Sequence, residues 1–143
     1  MSKLRQDASV ASLTRVGAGY LPGTLGVEMV ELKEGELRGR MAVEKQHMAP
    51  NGYLHAASVV ALADTTCGYA TIAHLPEGSL SFTTIELKCN FLGTVRGGAT
   101  ACTATAQHLG RTTQVWDAVV TDESTGSRIA LFRCTQMILW PKA

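Results

Sequence analysis

The chain lacks any surplus of charge: thirteen Lys and Arg stand against twelve Asp and Glu, a formal charge of +1 over 143 residues. A dedicated nucleic-acid binder needs a basic surplus for its phosphate contacts, so that class is set aside. No apolar run of signal-peptide type follows the charged opening MSKLRQDAS. The most apolar stretch, residues 59–73, contains Asp64 and several Thr and is too short to span a bilayer, so no membrane partner is expected. The four Cys, at 67, 89, 102 and 134, form no C-x-x-C pair and no zinc-like spacing. They read as four buried thiols of a cytoplasmic protein, with no disulfide framework. His47, His74 and His108 are scattered, without a carboxylate or second His at ligand spacing; they read as loop or surface residues, and no metal centre is expected. No repeat, linker or low-complexity tract divides the chain, so residues 1–143 form one domain. With 45% apolar and 17% charged residues, the composition is that of a packed globule and not of a disordered chain.

What is present falls into a clear order. Residues 1–21 carry a weak helical period (Leu4, Val10, Leu13, Val16) stopped by Gly17, Gly19 and Pro22, and read as a short helix or arm. Two alternating runs follow. Leu25, Val27 and Met29 lie opposite Glu28; Leu37, Gly39, Met41 and Val43 lie opposite Arg38, Arg40 and Glu44. Lys33-Glu34-Gly35 joins them as a hairpin. Residues 54–74 hold no Pro, almost no charge and many small side chains, which predicts one long helix buried nearly all round. Four β-runs complete the chain, at about 80–92, 99–109, 113–122 and 128–139. In the first of them Thr83, Ile85, Leu87, Cys89 and Phe91 share a face. The class is α+β: two strands, a buried helix, four strands.

Asp64 does not belong on such a helix. Its helical neighbours are Ala57, Val60, Ala61, Cys67, Gly68 and Thr71, and only Thr71 is polar. An ionised carboxylate there costs on the order of several kcal/mol unless it is paired or hydrogen-bonded. Lys45 is the only cation between Arg40 and Lys88. Either backbone amides and hydroxyls such as Thr83 satisfy Asp64, or it is a nucleophile or general base in a dry cleft. The helix start is a second signal. Asn51-Gly52-Tyr53-Leu54-His55-Ala56-Ala57 sets a tight turn before the helix, whose free N–H groups and positive dipole end suit developing negative charge. A carbonyl oxygen placed there would meet an oxyanion hole.

These residues, Gly52 to Ala57 (G-Y-L-H-A-A) and Leu62 to Thr65 (L-A-D-T), resemble the hotdog-fold acyl-CoA thioesterases. The nearest branch is that of the phenylacetate-degradation and 4-hydroxybenzoyl-CoA thioesterases, with G-x-x-H-G-G and a carboxylate nine residues after the His. His55 and Asp64 have that spacing, and the element order matches from about residue 25 to 139. The resemblance implies a long central helix wrapped by a curved antiparallel six-stranded sheet, in a homodimer or homotetramer with active sites at the interface. It assigns Asp64 as the catalytic carboxylate, the Ala56 N–H as the group that polarises the thioester carbonyl, Gly52 as the turn Gly and His55 as the motif His. Thr83 matches a strand residue that positions water in some relatives. The chain departs twice: His55-Ala56-Ala57 replaces H-G-G, and Ala49 stands where relatives place Asn or Gln, with Asn51 the candidate substitute.

Other motifs carry less. Ser58 has no G-x-S-x-G elbow, and Gly93-Thr94-Val95-Arg96-Gly97-Gly98 has neither the register of a dinucleotide fingerprint nor the Lys of a P-loop. By the same resemblance, Arg96 and Arg111 are candidates for the CoA phosphates, against a reading as solvated turn charges. Trp116 and Trp140 read as core or interface anchors. The expected activity is hydrolysis of an acyl- or aroyl-CoA thioester to the acid and free CoA. A thioester is already activated, so no cofactor is expected. The alternative is a hotdog module that binds acyl-CoA without turning it over; a hydratase of this fold fits the helix motif poorly.

Overall fold

The first helix, after a non-helical opening of residues 1–9, is a capped one. Ser9 accepts the Ser12 N–H and donates its own N–H to Ser12 Oγ, a reciprocal cap that starts α1 (Val10–Val16). A second short helix, α2 (Leu21–Thr24), follows. Pro22 sits in its first turn, where a missing N–H costs nothing, so this Pro begins a helix and does not end one. A computed structural model describes all 143 residues.

Leu25 caps α2, so the first strand starts two residues later than the alternation suggests. β1 (Val27–Lys33) and β2 (Glu36–Ala42) form the expected hairpin about Gly35, whose φ of +74° only glycine adopts freely. Val27, Met29, Leu37 and Met41 are buried, as their alternation requires. A single 3₁₀ turn (Lys45–His47) and a Met48–Leu54 bridge lead to α3 (Ala56–Ala73). His55 is its N-cap and Leu54 lies before it, so the helix is slightly shorter than the uncharged run.

β3 (Ser81–Phe91), β4 (Ala99–Leu109), β5 (Thr113–Asp122) and β6 (Arg128–Leu139) complete one antiparallel sheet of order β1-β2-β4-β5-β6-β3. The sheet holds α3 in its lap, touching it from all six strands. Small side chains make this close approach feasible. A Cβ on Gly39 of β2 would lie 2.8 Å from Thr66 Oγ1 of α3, and one on Gly68 of α3 would lie 3.2 Å from the Phe82 ring of β3. Leu62, Cys67, Ala70, Trp116, Val120 and Cys134 fill the contact. The four thiols are free; Cys67, Cys102 and Cys134 are buried as expected, whereas Cys89 is only half-buried on edge strand β3.

Two expectations fail here. The β3 alternation breaks at a bulge between Thr84 and Glu86, so one extra residue switches the faces. Phe82 and Thr84 lie beside the buried Ile138 and Gln136, on the helix side; Thr83 lies beside the exposed Met137 and points outward. His47 and His74 are not surface residues: they are 1% and 2% exposed, with every ring nitrogen bonded.

Candidate active site

The start of α3 is built so that one backbone donor is left over. The Gly52 N–H donates to Ala49 O, Tyr53 N–H to Asn51 Oδ1, Leu54 N–H to Thr94 Oγ1 and His55 N–H to His47 O. His55 Nδ1 accepts the Ala57 N–H at 2.9 Å, and the Ser58 and Val59 N–H groups return to His55 O. Of the N–H groups of residues 52–59, only that of Ala56 has no partner within the chain. It projects from the positive end of an 18-residue helix, beside exposed Ala56 and Ala57 methyls. Gly52, at φ +86°, supplies the turn that brings the chain there. Asn51 spends its side-chain oxygen on that turn as an Asx cap and does not reach toward the free amide through that atom.

Asp64 holds the complementary defect. Its Oδ1 is the one buried side-chain polar atom in the chain without a hydrogen-bond partner, and no cation pairs with it. The reading in which Thr83 or nearby amides satisfy this carboxylate is therefore overturned. Thr84, the helix-facing neighbour, donates its hydroxyl proton to Gln136 Oε1 at 2.7 Å. Asp64 lies one turn before Gly68, which packs on Phe82, so it occupies the helix stripe facing edge strand β3. Burial pushes its carboxyl above the ordinary 3.8, with nothing opposing the shift.

A cleft of 320 Å³ opens at the helix start between Tyr53, Leu54, Ala56, Val59, Phe91 and Thr94. Arg96 lies beside it, its guanidinium 5.2 Å from the centre of the Tyr53 ring. Arg111 is elsewhere: it stacks 4.4 Å over Trp140 and borders a larger hollow of 860 Å³ at the C-terminal end of α3. That hollow holds none of the unpaired groups. His74 Nε2 accepts the Gly35 N–H, leaving Nδ1–H for Ala70 O, and Gln114 is bonded to His74 O and Trp116 Nε1. Of the sequence-predicted residues, Asn51, Gly52, His55, Ala56 and Arg96 gather at one place, Asp64 stands two turns along the helix, and Thr83 and Arg111 stand apart. Phe91, Val59 and Thr94 were missed as lining residues; nothing in a strand end or a Gly-rich loop announces that it meets a helix start.

Residues 51–129 match the family described as the thioesterase superfamily, more than half the chain. A 1,4-dihydroxy-2-naphthoyl-CoA hydrolase from Listeria monocytogenes is 31% identical over 115 residues, spanning 80% of this chain and 92% of that protein. Among solved structures, a mutant of thioesterase PA1618 from Pseudomonas aeruginosa superposes with a TM-score of 0.90 at 27% identity, over 96% of this chain and 99% of that one. The E. coli PaaI protein, at 22% identity and a TM-score of 0.75 over 92% of this chain and 96% of its own, shares the fold. The chain belongs to the thioesterase superfamily: it is a thioester hydrolase with the hotdog fold.

Proposed function

We propose that the thioester is an acyl- or aroyl-CoA, hydrolysed between the Ala56 N–H and the Asp64 carboxylate. The observation that carries this reading is Asp64 Oδ1, the one buried side-chain polar atom without a partner, on the helix whose start presents the open Ala56 N–H. A carbonyl oxygen at the Ala56 N–H becomes more negative as the tetrahedral species forms, and a preorganised donor favours that charge. Asp64 then either attacks the carbonyl carbon, giving a mixed anhydride and the CoA thiolate, or removes a proton from an attacking water. Both routes use its ionised form.

Helix geometry adds a condition. Ala56 and Asp64 are separated by eight residues of α3, about 12 Å along the axis at 1.5 Å per residue. One carbonyl cannot touch both groups of the same helix. The site is therefore composite, with Ala56 of one protomer facing Asp64 of its partner. Edge strand β3 supports this reading: it has a neighbour on one side only and exposes Ile85, Leu87 and Phe91. A two-fold pairing of such edges gives a homodimer or a larger even assembly.

Arg96, at the mouth of the cleft, takes a CoA phosphate. Arg111, between β4 and β5, lies at the opposite end of α3 and would meet only a nucleotide held across two protomers. Four free thiols favour a cytoplasmic location. The non-catalytic reading leaves Asp64 unexplained, since a binding module gains nothing from an unpaired, half-buried carboxylate. The test is thiol release from a panel of short, long and aromatic acyl-CoAs. Turnover of at least one member is expected; tight binding throughout without release would establish the binding module instead.

A further inference from the structure

The free amide at Ala56 is only as well aimed as the peptide that carries it, and that peptide is tied to one buried residue. The His55 N–H donates to His47 O at 3.0 Å, and the Ser58 hydroxyl donates to the same oxygen at 2.8 Å. One carbonyl thus grips the helix start from both sides of the His55–Ala56 peptide. His47 is itself immobilised. Its Nδ1 accepts the Glu44 N–H at 2.9 Å, which leaves the proton on Nε2, and Nε2–H donates to Leu25 O at 2.7 Å. The ring is 1% exposed. A continuous chain of hydrogen bonds therefore runs from the α2–β1 junction, through the His47 ring and its carbonyl, to the residues flanking Ala56. One of these four bonds, from the Glu44 N–H to Nδ1, caps the 3₁₀ turn; the other three reach outside it, to Leu25, His55 and Ser58.

We infer that His47 is a positioning residue for thioester hydrolysis, acting with Ser58 to fix the direction of the Ala56 N–H. The inference rests on the reading of that N–H as the carbonyl donor. His47 touches no substrate; it acts through the His55–Ala56 peptide, whose plane decides where the donor points. An oxyanion donor is sensitive to its aim because its benefit arises at one position of the oxygen. Misalignment should lower kcat and leave KM nearly unchanged, since the cleft walls stay in place.

The test is a cycle with Ala56→Pro. Proline is favoured at the first helical position, and His55 already has the extended backbone (φ −65°, ψ 135°) that a following Pro requires, so this variant deletes the N–H and keeps the helix. Because His47→Ala can fail to fold, Ser58→Ala carries the measurement: it removes one of the two bonds to His47 O and places a better helix former at the site. In the wild-type background Ser58→Ala and any folded His47→Ala should each lower kcat about tenfold, with KM within a factor of about two. In the Ala56→Pro background the same changes should cost nothing further, because the donor they aim is gone. Equal fractional losses in both backgrounds, or no loss in the wild-type background, would overturn the positioning role. Full activity of Ala56→Pro by itself would overturn the donor assignment, and is read before His47 is touched.

Discussion

The His55 imidazole accepts the Ala57 N–H at 2.9 Å, and this single bond decides which amide of α3 stays open. A Ser or Asp cap would do the same with an oxygen; here a His does it, and Ala56 is left as the free donor. Removing the cap exposes a second unsatisfied N–H at the helix start. His55→Ala should therefore lower stability by about 1 kcal/mol, read by thermal or urea unfolding, and His55→Asn should recover most of it. A destabilisation equal for both variants would show that the cap bond contributes little.

Asp64 should cost stability in return for its chemistry. Burial raises its folded-state value above 3.8, so its favourable contribution is complete below 3.8 and is lost as pH rises through the raised value. Asp64→Asn has no such titration. Its Tm should exceed that of wild type at pH 7, and the gap should close as pH falls toward about 4. The same substitution should lower kcat by roughly two to four orders of magnitude. In wild type the acidic limb of kcat/KM should lie above 3.8, because only the ionised carboxylate works. A variant that melts below wild type at neutral pH would mean that Asp64 has a partner in solution.

Arg96 and Arg111 should separate in kinetics as they do in space. Arg96→Ala should raise KM for acyl-CoA about tenfold with little change in kcat, since a phosphate contact is equal in ground and transition states. Arg111→Ala should leave KM unchanged if the nucleotide stays on the Arg96 side. Steady-state kinetics on both variants decides it.

Much of this was legible in the residues. Hydrophobic alternation gave the β1–β2 hairpin, and an uncharged run of small side chains gave α3, because both signals come from burial. Asp64 stood out since no neighbour could neutralise it. The failures have a common cause in geometry that no period encodes. A one-residue bulge after Thr84 turned Thr83 outward and brought Thr84 to the helix side. His47 reads as a loop residue until Leu25, Glu44 and Ser58 are seen to converge on it. The spacing from His55 to Asp64 carried the resemblance, whereas the proposal that the two ends of α3 serve different sites rests on the rise of the helix.

That last point admits a direct measurement. Ala56→Pro and Asp64→Asn each disable a different half of a composite site. Mixed in equal amounts through unfolding and refolding, the two impaired chains form heterodimers in which one site has both defects and the other has neither. With random pairing, thiol release should recover to about a quarter of the wild-type rate. Activity remaining at the level of the separate variants, in a mixture shown to contain heterodimers, would contradict the shared site and return both groups to one chain.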